Sequence, residues 1–238
     1  MTKNIKLPQP AEKPIEAVLE EFLADQRARL KPKTLANCQD VISLFKDCMN
    51  GYGHQGLDKI EQALFEQLYN AKGAQHREFC QIFGPEKISE NLGEFLGYFM
   101  VRKVMCGKEL MQAAGTVTKK LGKWLAEKGY VDSVEGADMS ERGGTAARDL
   151  PAAEDLADML AECIEYVSAD SETLEDHFTV DAIEPGKLHL SPMQSDEKVV
   201  LAVPRYVSDA CQVGWEISGA VAKIGRRWRL LEVWNVYS

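Results

Sequence analysis

The chain has 238 residues, 45% hydrophobic and 27% charged, enough apolar material to bury a core and too much for general disorder. Its net charge of −9 is unevenly spread: residues 1–130 hold 19 Lys/Arg against 16 Asp/Glu, residues 131–176 hold 2 against 14, and residues 177–238 hold 7 against 7. No apolar run approaches the roughly 20 residues of a membrane helix, and Met1-Thr2-Lys3-Asn4-Ile5-Lys6 opens no secretory core, so a cytoplasmic protein with no membrane association is expected.

In chain order, Ile15, Val18, Leu19, Phe22, Leu23 and Leu30 form one helical stripe. Pro32 and Lys33 interrupt it. A second stripe follows through Leu35, Cys38, Ile42, Phe45 and Met49 and ends at Gly51-Tyr52-Gly53. A third helix is expected from Leu57 to Ala71, then a short helical piece at His76–Phe83 stopped by Gly84-Pro85. A fourth carries Ile88, Leu92, Phe95, Leu96, Phe99 and Val104, with a possible break at Cys106-Gly107. A fifth carries Leu110, Ala114, Val117, Leu121, Trp124 and Leu125 and closes at Gly129. Helices of this length pack as a bundle.

Asp132 to Leu150 lacks periodicity and includes Gly136, Gly143 and Gly144, which reads as a linker or mobile loop. Pro151 then opens an amphipathic helix whose apolar face is Leu156, Met159, Leu160, Cys163, Ile164 and Val167. Glu154, Asp155, Asp158, Glu162 and Glu165 flank that face, which must cover something apolar, in this chain or in a partner. From His177 the period becomes two. Phe178 and Val180, Leu188 and Leu190, Val199, Leu201 and Val203, and Trp215, Ile217 and Val221 mark short strands, with turns at Pro185-Gly186 and Gly225-Arg226. On the last strand Trp228, Leu230, Trp234 and Val236 share one face, with Leu231 and Val233 opposite. About five strands with such turns suggest a small barrel or strongly bent sheet.

Cys38, Cys48, Cys80, Cys106, Cys163 and Cys211 include no C-x-x-C pair and are expected to be reduced and structural. The four histidines are dispersed, and no H-E-x-x-H, G-x-S-x-G or Walker motif occurs. The carboxylates of residues 154–176 have no neighbouring His or nucleophile and read as surface charge. No catalytic residue, cofactor or metal is therefore expected.

Phe22-Leu23, the run Leu30-Lys31-Pro32-Lys33-Thr34-Leu35-Ala36-Asn37-Cys38, and then Ile42 and Phe45 resemble the N-terminal core-binding domain of tyrosine recombinases, the phage integrases. The likeness covers residues 14–130. Thr34, Ile42 and Phe45 match the family pattern, while Cys38 replaces its usual Tyr. The resemblance implies a helical domain that clamps DNA, with Lys31, Lys33, Thr34 and Asn37 facing phosphates. On the bland reading Thr34 caps a helix. Recombinase chemistry itself is excluded, because no His-x-x-Arg element exists and the C-terminal 62 residues are too few for that catalytic domain. Tyr237 is no credible nucleophile there.

Two further basic clusters invite the same reading. Arg226, Arg227 and Arg229 surround Trp228, as in stacking platforms for bases, but the favoured reading is a structural core of Trp215, Trp228 and Trp234 with an arginine-lined hairpin. Lys119, Lys120, Lys123 and Lys128 lie on one helix beside Trp124, where a solvated face is the usual explanation. The expectation is thus an α+β multidomain protein: an α-helical bundle over 1–130, an acidic linker and amphipathic helix over 131–176, and a small β-barrel-like domain, SH3- or OB-like, over 177–238. Its expected function is non-catalytic binding, nucleic-acid-associated (DNA or RNA) or regulatory. The alternative is a protein–protein adaptor using the acidic helix and the β-module. The acidic stretch would act as a tethered decoy for a basic surface, or only keep the chain soluble.

Overall fold

The computed structural model describes residues 8–164 and 172–238. The chain divides into two compact units, one spanning residues up to Met100 with Ala113–Ala147, the other Val101–Gln112 with Arg148–Ser238. The fold is α+β, with helices first and a five-stranded sheet after them. Met1–Lys6, Glu165 and Val167 lie outside the described residues.

In the first unit, α1 (Ile15–Arg27) buries Ile15, Val18, Leu19 and Phe22, the i, i+3, i+4, i+7 positions of its stripe. Pro32 occupies the first helical position of α2 (Pro32–Tyr52), where its missing N–H costs nothing, and Cys38, Val41, Ile42, Phe45 and Met49 turn inward. Asp58 caps α3 (Lys59–Tyr69), accepting from the N–H groups of Ile60 and Glu61 at 2.8 Å each, while Glu61 returns a bond to Asp58 N at 3.0 Å. Phe45 stacks on Phe95 at 4.5 Å and Phe22 meets the Trp124 ring edge-on at 5.4 Å.

After α4 (Phe79–Ile82), the expected fourth helix is present only in pieces: α5 (Glu86–Glu90), a π-helical turn (Glu94–Phe99) and α6 (Met100–Arg102). Asn91 ends the first piece by donating its side-chain amide to Lys87 O at 2.8 Å, a bond that competes with the helix ladder. The buried side chains Ile88, Leu92, Phe95 and Leu96 are nevertheless those of the stripe.

The largest difference from expectation lies at 132–150, which is helix and not linker. α7 (Lys108–Lys128) ends in a left-handed Gly129 with a φ of 74°. Gly129 N bonds Ala126 O and Tyr130 N bonds Leu125 O, the two bonds of a Schellman cap. Asp132 then accepts from Val134 N and Glu135 N and starts α8 (Ser133–Ala161). The glycines that suggest mobility are docking points for α7. A Cβ on Gly143 would stand 2.4 Å from Lys119 N and 2.7 Å from Gly115 O. Pro151 lies inside α8 and does not open it. Its ring removes the N–H that would bond Ala147 O, the last residue of the first unit.

In the second unit β1 (Glu172–Glu184), β2 (Lys187–Pro192), β3 (Val199–Ala202), β4 (Glu216–Ile224) and β5 (Arg227–Tyr237) are ordered β1-β2-β3-β5-β4. The pairing of β4 with β1 closes the sheet on itself. All neighbours are antiparallel except β3 and β5, and α9 (Arg205–Ala210) follows β3. The two-residue turns Pro185-Gly186 and Gly225-Arg226 fall where the sequence places them. Strand β1 starts at Glu172, so Glu172–Asp176 pairs with β4 instead of belonging to a linker.

Phe178, Val180, Leu188, Leu190, Val199, Leu201, Ile217 and Val221 fill the interior, and the C-terminal part of α8 adds Ala153, Leu156 and Leu160. Each such leucine contributes about 1.5–3 kcal/mol through burial. That settles what the amphipathic helix covers: the sheet of its own unit.

Strand β5 departs from simple alternation. Its pairing with β4 shifts register between Ala220 and Val221 and again between Ser218 and Gly219, leaving Leu231 and Trp234 as extra residues. Between these bulges Val233 packs against the core, and Trp234 turns outward at 45% exposure. Trp215 and Trp228 are core residues, as expected; Trp234 is not.

Candidate nucleic-acid interface

In the first unit the residues suggested by the recombinase resemblance gather at the start of α2. Lys31 is its N-cap and provides no side-chain cap, and the first turn holds no acidic residue. The N-terminal N–H groups that a helix leaves outside its own ladder therefore open between Lys31 and Lys33, where the helix dipole adds to the lysine charge. Thr34 is exposed at the third helical position and does not cap α2, because Pro32 starts the helix before it. Asn37 is half-buried.

Lys120 reaches this neighbourhood from α7. Burial pushes the Cys38 thiol up to about 11, and the nearby Lys120 charge partly opposes it. Cys38 lies one helical turn beyond Thr34. Lys119 and Lys123 are exposed and Lys120 half-buried, all on the arc of α7 turned from the core residues Val117, Leu121 and Leu125. Among the described residues Lys31, Lys119, Lys120 and Lys123 make no side-chain ion pair or hydrogen bond.

Lys128 separates from this cluster. Its ammonium lies 3.0 Å from Asp25 and 3.5 Å from Glu21, and 5.4 Å from the centre of the Trp124 ring. The hydrogen bond from Trp124 Nε1 at 2.9 Å, then Lys128, hold the Asp25 carboxyl below its ordinary value. Lys13 and Tyr130 both bond Glu21, completing a structural network between α1 and the end of α7.

In the second unit Arg226 and Arg227 are exposed and Arg229 is half-buried on the β4–β5 hairpin. Trp228 is only 6% exposed, with the Lys223 ammonium 5.1 Å from its ring centre, so no base could stack on it. The accessible indole is Trp234, whose Nε1 donates to Glu232 at 2.8 Å. Sequence reasoning missed this exposure, since alternation places Trp234 inside and nothing local announces the two bulges.

Ser218 Oγ lies 3.4 Å from His177 Nε2, but Ser218 is fully buried, and the exposed Ser191 hydroxyl is bonded to Asp181 and Lys198 on the sheet surface. Asp176 spends its carboxylate on the backbone N–H groups of His177 and Gln194. Among the described residues no three His, Cys, Asp or Glu side chains are placed to hold a metal ion, and no helix is long and apolar enough to cross a membrane. Comparison with protein-family models, curated proteins and solved structures finds no match for this chain.

Proposed function

We propose that this is a non-catalytic, cytoplasmic, nucleic-acid-associated protein whose first unit holds phosphate groups on Lys31, Lys33, Thr34, Lys119, Lys120 and Lys123. The observation that carries this reading is that, among the described residues, Lys31, Lys119, Lys120 and Lys123 make no side-chain ion pair or hydrogen bond, and that Lys31 and Lys33 border a helix start with no side-chain cap and no carboxylate in its first turn. Most surface cations with a resolved partner, such as Lys13, Lys46, Lys108 and Lys128, are neutralised by carboxylates. The resemblance to the recombinase core-binding domain supports the same surface. The closed five-stranded sheet is read as a small SH3- or OB-like barrel, with Arg226, Arg227 and Arg229 as a secondary phosphate contact.

Phosphate contacts of this kind release counterions, so affinity falls with salt by a log–log slope of about 0.9 per duplex phosphate contacted. Fluorescence anisotropy with a labelled duplex and a labelled single strand tests this at low and rising salt. The triple variant Lys31→Ala/Lys33→Ala/Lys120→Ala should weaken binding and flatten the salt slope. No binding by the unaltered protein at low salt, or an unchanged slope in the variant, would remove this function.

A further inference from the structure

The second unit contains a cleft of about 550 Å³ that the nucleic-acid reading does not use. One wall is the segment carrying Met105 and Met111, another is one face of α8, and the third is β5 at Trp234. The α8 face consists of Glu154, Ala157, Asp158 and Ala161, at i, i+3, i+4 and i+7, while Ala153, Leu156 and Leu160 of the same helix pack into the sheet core. The β5 bulges deliver the Trp234 indole to this wall, and a bulge that re-aims a side chain is a common device beside binding sites.

Met105 is fully exposed and Trp234 is 45% exposed, so a large flexible apolar side chain and an aromatic face both meet solvent at the cleft. The charged side chains lining it are Glu154 and Asp158, with no lysine, arginine or histidine among them. The neighbouring Asp155 is paired with Lys108, whose ammonium also feels the charges of Asp158 and Glu154 from outside the cleft lining.

From this we infer that the cleft docks a basic amphipathic peptide segment of a partner protein. Its apolar residues would lie against Met105, Met111 and Trp234, and its Lys or Arg side chains would meet Glu154 and Asp158. The two carboxylates stand one helical turn apart, the spacing of i, i+4 cations on a helical ligand. Ala157, between the carboxylates, and Ala161, one turn beyond Asp158, are small enough to let the ligand backbone come close. This inference concerns the second unit alone and does not depend on whether the first binds nucleic acid.

The full-length protein can be titrated with a fluorescein-labelled synthetic helix of Leu and Lys and with its Leu and Glu counterpart. Trp124, Trp215 and Trp228 are at most 6% exposed, so a blue shift in tryptophan emission reports on Trp234. The expected result is saturable binding of the Lys peptide with that shift, at least tenfold weaker in Glu154→Gln/Asp158→Asn, and no comparable binding of the Glu peptide. Trp234→Ala should weaken binding and abolish the shift; should that variant fold poorly, the double carboxylate variant still decides. Equal binding of both peptides, or binding of the Lys peptide unaffected by the carboxylate variant, would overturn the inference. So would concentration-dependent dimerisation in sedimentation that Trp234→Ala abolishes, since a second copy would then occupy the cleft.

Discussion

Gly122 and Gly136 lie so close across the α7–α8 hairpin that neither tolerates a side chain: a Cβ on Gly122 would stand 2.9 Å from Gly136 O, and one on Gly136 would stand 2.8 Å from Gly122 O. Gly115 and Gly143 repeat the relationship one level along, at 2.6 and 2.7 Å. The pairs are symmetric about Gly129, and successive glycines at 115, 122, 129, 136 and 143 are seven residues apart. Seven residues is close to two helical turns, so each helix turns its glycines to the same side. Such small residues let two helix backbones meet directly.

Alanine is the better helix former by about 1 kcal/mol, yet Gly122→Ala should destabilise the protein, by about 1–3 kcal/mol as for other overpacked sites. Gly51 lies in α2, and a methyl group on it would have nothing within 4 Å. Gly51→Ala should therefore stabilise, by about 0.5–1 kcal/mol. Urea denaturation of the two variants checks the opposite signs; equal shifts would mean the hairpin glycines are not in contact.

The two tryptophans of β5 should separate in the same assay. Trp228→Ala removes a core ring and should cost about 3–5 kcal/mol. Trp234→Ala removes a ring on the outer side of a bulge and should cost about 0.5 kcal/mol, as at other surface sites. Acrylamide should quench the wild-type emission chiefly through Trp234. A Trp234→Ala loss as large as that of Trp228→Ala would refute the register shifts.

Acid should weaken the first unit. The hydrogen bond from Lys46 holds the Glu16 carboxyl below its ordinary 4.5, against the opposing effect of burial, with a further bond from Gln81. Lys13 and Tyr130 lower Glu21 in the same direction. A folded-state value below the unfolded one means that the stabilisation is complete above the ordinary value and is lost as pH falls through the lowered one. Stability should thus be level just above pH 4.5 with respect to these groups and decline below it. Glu16→Gln should flatten part of that decline in urea melts at stepped pH.

Thiol reactivity should sort the cysteines by burial. Burial raises Cys38 and Cys211 to about 11, and Cys48 and Cys80 to about 12, so little reactive thiolate exists at neutral pH. Cys106 and Cys163 are half-buried. A thiol reagent should label these two in the native protein and all six in denaturant, as mass spectrometry of the labelled protein would show.

What the sequence determined on its own was a set of features whose causes are local. The stripes of α1 and α2 follow from spacing, Pro32 starts a helix through its fixed φ, and Gly129, Pro185-Gly186 and Gly225-Arg226 turn the chain through their own backbone preferences. Even so, Asp132 with Glu135 three residues later was a readable start for α8, obscured by the glycines behind it. Tertiary structure decided the rest. Gly136 and Gly143 are loop-like in isolation and helical only because α7 presents Gly122 and Gly115 at contact distance. Trp234 faces solvent because β5 carries two more residues than β4 can pair, a mismatch that exists only between strands. Lys120 comes within electrostatic reach of Cys38 only in the folded first unit, because 82 residues of sequence separate the two positions. A side-chain stripe is a property of one helix, whereas a close approach, a bulge or a shared charge belongs to two elements at once.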